Sequence, residues 1–460
     1  MTTIIECHPR AAGKPGLDLQ ALLQTIGPRF AQDAAERDAG DVFVAEHYDI
    51  LKRHRFFSAL VPAELGGGGL RHSAMCTFLR QLAHHSPSTA LALSMHQHLV
   101  AAAAYNHREG RPGKKLLQRV AANEAVLIST GANDWIESSG TVKRTDGGFL
   151  VSARKPFASG SPKGDLLVTS APFEDPREGW QVLHFAVPFA AKGLSLADDW
   201  RTLGMRATGS QTIMLDDVFV PDEAITLRRQ RGRFHPAWNV ILTVAMPLIM
   251  SVYTGLAEAA AKIGRQQAGK RQSEPAVPYL LGELTNHLTM AQLAVDDMVR
   301  LANDLNFAMD LEVANAVLIR KTIVAEHVLA TVEKALEASG GAGFYRKTGL
   351  ERLLRDAHAA QFHPLPAKRQ HRFTGRVLLG LDPIADVACY RRLVQVGRAA
   401  SVERGRGPPY LPSTSVQVDE QTSRALAFAW TMADRRPIRS VRRRQQAGLA
   451  APKVPVISRF

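Results

Sequence analysis

Residues 200–221 read W-R-T-L-G-M-R-A-T-G-S-Q-T-I-M-L-D-D-V-F-V-P. From Thr212 to Val220 apolar and polar residues roughly alternate, β-branched side chains are frequent, and Pro221 ends the run. That is the pattern of a half-buried strand. Ahead of it, Gly204, Gly209, Thr208 and Ser210 are small enough to let backbone approach a ligand closely. On pattern alone this is a β-hairpin with Gly-rich turns, and it carries no nucleophile or metal motif.

Upstream, strand chemistry begins at Glu124, with A-V-L-I-S-T-G-A-N-D-W at 125–135 and D-G-G-F-L-V-S-A-R-K-P-F-A-S-G at 146–160. Further upstream, Leu17 to about Gly113 has helical spacing: Leu19, Leu22, Leu23 and Ile26, then Val42 to Leu51, then Cys76 to Leu82. Ala90 to Ala104 is a small-residue helix with His96 and His98 on roughly opposite sides, so one of the two is expected to be buried. Downstream, the helical pattern returns at Pro236 and persists to about Tyr390.

At 460 residues the chain suits two or three domains sharing cores. With 45% hydrophobic and 22% charged residues it reads as a soluble globular protein. Cys7, Cys76 and Cys389 form no pair motif, which points to a reduced, cytoplasmic compartment. The N-terminus lacks the basic and apolar regions of a signal peptide. Val240 to Ile263 is the most apolar run, but Pro247 and Glu258 interrupt it, so it reads as a buried helix and not a membrane span. The net charge of +14 is concentrated at the end: residues 391–460 hold 14 Lys/Arg against 4 Asp/Glu. The body is therefore nearly neutral, and a nucleic-acid partner is not expected. The tail, with R-G-R-G-P-P-Y-L-P and D-R-R-P-I-R-S-V-R-R-R, is expected to be disordered apart from one short helix over Gln421–Met432.

The segment L-G-M-R-x-T-G-S followed by D-D-V-x-V-P resembles the central β-domain of the acyl-CoA dehydrogenase superfamily. The resemblance covers about residues 50–385 and implies a flavin, FAD or FMN, held under a β-domain between two helical domains. The L-V-P-A-E-L-G-G-G-G-L turn at 60–70 extends it toward the N-terminus. In 146–160, Phe157, Ala158 and Ser159 stand where the family has Trp-Ile-Thr against the flavin, with Ser159 keeping the hydroxyl. Ser129 and Thr130 occupy the place of the family's flavin-holding loop, which is much altered here. Arg265 matches the family's Arg that reaches the flavin pyrophosphate across a subunit interface, a task to which the guanidinium fork is suited. Ser339-Gly-Gly-Ala-Gly-Phe344, with Gly340, Gly341 and Gly343, matches the turn that approaches a neighbouring subunit's FAD. The L-E-R-L-L-R-D-A stretch at 350–357 follows it as in the family.

An acyl-CoA dehydrogenase needs a carboxylate base to take the substrate's α-proton. In most of the family that Glu, preceded by Tyr, lies eight and nine residues after the Arg of Arg-Asp-Ala; counted from Arg355, those places hold His363 and Pro364. The alternative location, on the first helix of the last domain, reads A-W-N-V-I-L-T-V-A over 237–245 and has no acid. A histidine at the position of His363 resembles the superfamily's flavin monooxygenases, such as the dibenzothiophene and p-hydroxyphenylacetate enzymes. These take reduced flavin from a separate reductase and activate oxygen. Histidine suits proton handling near neutral pH. The same resemblance brings His96, with His98 behind it, to the substrate side of the flavin.

The expected fold is α+β and multidomain: an N-terminal all-α domain (17–120), a central β-barrel-like domain (121–232), a C-terminal four-helix bundle (233–390) and a basic tail (391–460). The expected function is flavin-dependent oxidoreduction of monooxygenase type on a small molecule, in a homotetramer or homodimer. His363, His96 and Ser159 are the catalytic candidates; no metal is expected. Two rivals stand beside it: an acyl-CoA dehydrogenase whose base lies elsewhere, and a degenerate, non-enzymatic member with a basic binding tail.

Overall fold

The computed structural model describes residues 18–385 apart from Ala132, Asn133 and Trp135. The basic tail, with the short helix expected over Gln421–Met432, lies outside the described residues. Five helices come first: α1 (Leu19–Ala39), α2 (Ala45–Arg53), α3 (His72–Leu82), α4 (Pro87–Arg108) and α5 (Lys114–Asn123). Asp18 starts α1 by accepting the Gln20 and Ala21 N–H groups, which the first helical turn leaves without partners. α4 is buried almost all round, and its Ala-, Leu- and Ser-rich sequence permits that.

Eight strands follow: β1 (Leu127–Ser129), β2 (Thr141–Thr145), β3 (Gly148–Lys155), β4 (Leu166–Asp175), β5 (Gly179–Pro188), β6 (Leu194–Ala197), β7 (Thr212–Pro221) and β8 (Ile225–Gln230). They pair as two four-stranded sheets, β1-β4-β5-β8 and β2-β3-β7-β6, within the domain expected to be β-barrel-like. β1 runs parallel to β4, and the other pairings are antiparallel. β7 alternates on either side of a bulge at Asp216–Asp217: Ile213 and Leu215, then Val218 and Val220, face the core, while Asp216, Asp217 and Phe219 face out.

The chain closes with α6 (Ala237–Gly269), α7 (Val277–Ala302), α8 (Leu311–Ser339), α9 (Leu350–His358) and α10 (Ala367–Leu378). α6, α7 and α8 pack against one another, and α9 and α10 rest on α8. Helix α6 passes through Pro247 without ending. Proline leaves the carbonyl four residues earlier without a helical donor. One residue further on, the buried His72 donates Nε2–H to the Val244 carbonyl (2.9 Å), tying α3 to α6 one turn before the proline. The most apolar stretch of α6 is 94% buried, so its length and hydropathy serve the core.

Candidate functional site

The site grows from the strand quoted first. Just before β7, Met205 joins several elements: its N–H donates to the buried Asp356 of α9. Its carbonyl accepts from Trp200 Nε1 (3.2 Å) and Thr208 Oγ1 (2.8 Å), and Ser88 of α4 contacts its sulfur. Gly204 is required here, because a Cβ would lie 2.2 Å from the Arg355 carbonyl. Arg355 in turn donates to the Leu203 carbonyl (3.1 Å) and to Asp38 of α1 (2.6 Å). The segment 203–205 therefore fixes α9, and the residues that follow it, against the β-sheets.

Beside this junction lies an apolar shelf. Phe157 and Leu203 are each 56% exposed. Phe157 meets Trp200 edge to face, with ring centroids 5.7 Å apart. The backbone at Phe157 is left-handed, φ 61°, a strained conformation for an aromatic residue that projects the ring outward. A row of hydroxyls edges the shelf: Ser159 Oγ to Ser210 Oγ at 2.7 Å, and Ser210 Oγ to Thr208 Oγ1 at 2.7 Å. Ala158 is fully buried and contributes backbone, its N–H donating to the Gln211 carbonyl (3.3 Å).

A buried ion pair supports the shelf. Lys155, wholly buried, donates to Asp134 Oδ1 (2.5 Å), the Ser170 carbonyl (2.6 Å) and the Ser139 carbonyl (2.8 Å). Burial lowers the Lys155 pKa, and Asp134 works against that shift. Asp134 also accepts from Thr130 Oγ1 (2.7 Å), Thr169 Oγ1 (3.1 Å), Ser139 N (3.0 Å) and Ser139 Oγ (2.8 Å). The Thr130 hydroxyl is thus committed inside the protein, and Ser129 is buried in β1, whose three residues all face inward. Asp134 escaped the sequence reading; the charge in an otherwise apolar and small-residue loop was its only signal.

A second group of residues centres on His363, five residues beyond α9. Its Nε2 lies 2.7 Å from the hydroxyl of Tyr253 on α6. Burial, with Lys321 of α8 and His98 of α4 nearby, pushes the half-buried His363 down to about 3. Burial and Asp356 push the Tyr253 phenol well above its ordinary value. Tyr253 is therefore a protonated partner to a neutral imidazole. Burial raises Asp356 to about 7, while the Met205 N–H favours its charged form. Beyond His363, Phe234, Trp238, Leu242, Pro364, Leu365 and Phe373 line a small apolar pocket. A larger cavity of about 200 Å³ lies by Tyr48 and Val126, where Lys52 pairs with Asp165 and Lys163 with Asp49.

His96 has a different place from the one expected. Its Nε2–H donates to the Phe57 carbonyl (2.8 Å) and its Nδ1 accepts from Leu127 N (2.9 Å). With both ring nitrogens spent on backbone, and burial pushing it down to about 4, it joins α4 to β1. His98 is buried too, because α4 is enclosed on all sides, and it is the histidine in the field of His363. Arg265 is exposed on α6. Gly340, Gly341 and Gly343 lie in a 3-10 turn ending α8, where Phe344 is 91% exposed. Gly340 has φ 58°, and a Cβ there would meet Arg271 at 2.1 Å.

The sequence model of the acyl-CoA dehydrogenase N-terminal domain matches residues 22–124, and that of the C-terminal domain matches 248–366. The chain thus carries acyl-CoA dehydrogenase N- and C-terminal domains, and its relatives are flavin-dependent enzymes, consistent with an oxidoreductase. It is 28% identical over 407 residues to the amino sugar nitrososynthase DnmZ of Streptomyces peucetius, covering 84% of this chain and 96% of that one. It is 24% identical to the dibenzothiophene monooxygenase of Rhodococcus erythropolis, over 77% of this chain and 92% of the relative. Among solved structures, KijD3 in complex with FMN and dTDP-3-amino-2,3,6-trideoxy-4-keto-3-methyl-D-glucose matches with a TM-score of 0.73 and 28% identity, covering 82% of this chain and 97% of that one.

Proposed function

We propose that this chain is a monooxygenase that works with reduced FMN. The observation that carries the reading is the Tyr253–His363 hydrogen bond, next to Pro364, the position at which the family resemblance places a dehydrogenase's carboxylate base. An α-proton needs a base at this position, and the carboxylate in its field, Asp356, is buried against the Met205 N–H.

The shelf suits a flavin. Its exposed Phe157 and Leu203 offer an apolar face, and Ser159, backed by the buried Ser210 and Thr208, offers a hydroxyl at one edge, complementary to a flat ring with polar rims. Bound reduced flavin would supply the electrons that activate oxygen. Phe157 and Trp200 would then stack against the ring or its edge, and Ser159 would hydrogen-bond its rim. His363 would accept or hold a proton at the ring nitrogen that Tyr253 leaves free, and Tyr253 would fix the tautomer. The apolar pocket past Pro364 would take the nonpolar part of the substrate. FMN is favoured over FAD by the FMN complex of the 28%-identical KijD3.

Amines come first among substrates. The group around His363 gathers a buried lysine, two histidines and a protonated phenol. A neighbouring cation disfavours protonation of an incoming amine and so preserves the lone pair that must attack oxygen. The likeness to the amino sugar nitrososynthase DnmZ points the same way. A separate reductase would supply the reduced flavin. A homotetramer or homodimer would form through the bundle, where Tyr279 and Leu293 of α7 are exposed, and Arg265 and the Gly340–Gly343 turn would face a neighbour's flavin. The cytoplasm is the proposed location.

Rapid mixing of the reduced, FMN-loaded protein with oxygen tests the reading. A long-lived absorbance distinct from oxidised and reduced flavin is expected, with a shorter life in His363→Ala. Immediate reoxidation, together with bleaching of the oxidised flavin by an acyl-CoA, would overturn it.

A further inference from the structure

Lys321 sits on α8 with 1% of its surface exposed. Its ammonium donates to the Leu365 carbonyl at 3.0 Å, two residues past His363. Among the described residues no carboxylate pairs with it; Glu326, the acid that favours its charge, is exposed on the same helix. A buried ammonium met only by a carbonyl is costly, and an apolar side chain of similar length would fill the space at lower cost. What an apolar residue would not provide is charge beside an imidazole.

We propose that Lys321 is a positioning residue for His363, tying the 363–365 segment to α8 and setting a positive charge near the imidazole. Two effects follow from one side chain. The hydrogen bond to Leu365 fixes the segment that carries His363 against the bundle, so that Nε2 meets Tyr253. The positive charge adds to burial, the larger cause, in opposing a positive charge on the imidazole. The groups facing His363 are Tyr253 from α6, Lys321 from α8 and His98 from α4, with Asp356 of α9 acting on Tyr253. Of these only Lys321 carries a full positive charge at neutral pH: burial lowers it to about 8, whereas His98 is lowered to about 4. The field on His363 is thus present through neutral pH and fades as Lys321 loses its proton above about 8.

This inference extends the proposed role of His363, but its test does not depend on turnover. In full-length protein with 13C-labelled histidine, the His363 resonance is assigned by its loss in His363→Gln and followed against pH. Lys321→Gln removes the charge and keeps a donor for Leu365; Lys321→Arg keeps both. The Gln variant is expected to raise the His363 titration midpoint by about 1 pH unit or more, with Arg restoring the low value. In the loaded enzyme, the acid limb of substrate oxidation should move upward by the same amount in Gln and not in Arg. An unchanged His363 midpoint in Lys321→Gln overturns the proposal, whatever happens to activity. A normal titration shift with no oxidation by the unaltered protein would instead condemn the monooxygenase reading and leave this one standing.

Discussion

Replacing Asp134 tests how the shelf is supported. Asp134 Oδ1 receives the Lys155 ammonium at 2.5 Å, and its two oxygens accept four further hydrogen bonds from Thr130, Thr169 and Ser139. Asp134→Ala leaves Lys155 buried with only carbonyls and a hydroxyl, and breaking a buried pair in this way costs about 3–5 kcal/mol. That is a large part of the roughly 5–15 kcal/mol that holds a domain folded. Lys155→Met is milder, because the carboxylate keeps its hydroxyl and backbone donors; about 1–3 kcal/mol is expected. The double variant Asp134→Ala with Lys155→Met removes both charges and should lose less than the sum of the single changes by about 2 kcal/mol, since charge-pair coupling falls in that range. Denaturant unfolding followed by tryptophan fluorescence measures all three. Flavin titration of the same proteins should show weakened binding, because Lys155 lies two residues before Phe157. Single-variant losses that simply add within about 0.5 kcal/mol would refute the claim that this pair acts as a unit.

Four further outcomes are expected. Tyr253→Phe removes the hydroxyl 2.7 Å from His363 and should slow oxidation by about tenfold, the equivalent of one hydrogen bond, with flavin affinity unchanged in a binding titration. Phe157→Ala should weaken FMN binding by about tenfold, read by flavin fluorescence, because it removes the exposed aromatic face of the shelf. His96→Ala should destabilise the protein by about 2–3 kcal/mol in unfolding experiments, leaving Phe57 O and Leu127 N–H without partners, yet leave the pH profile of oxidation where it is. Acid should destabilise the fold between about pH 6.5 and 4. Burial holds His47, His96 and His98 at about 4, below their unfolded value, so the unfolded chain binds more protons in that window. Stability therefore rises with pH through it, by up to about 1.4 kcal/mol per unit for each group. His96→Gln should flatten the slope in pH-dependent unfolding.

The sequence by itself determined the order of the fold and the family. Alternation from Thr212 to Val220 had to make a strand, and unbroken apolar spacing after Pro236 had to make long helices, because those periods belong to local backbone geometry. The absent base was also legible, since Pro364 cannot accept a proton under any fold. Local patterns could not say that the strands divide into two sheets, because pairing depends on partners far apart in the chain. Nor could they separate His96 from His98: the expectation that one would face solvent assumed an exposed side to α4, and tertiary packing encloses the whole helix. What each histidine does was then decided by the neighbours that packing delivered, two backbone groups for His96 and the field of His363 for His98. Tyr253, Lys321 and Asp134 were unreadable for the same reason. Their partners lie 110, 44 and 21 residues away in sequence, and only the folded chain brings a phenol to an imidazole, an ammonium to a carbonyl and a carboxylate to a lysine.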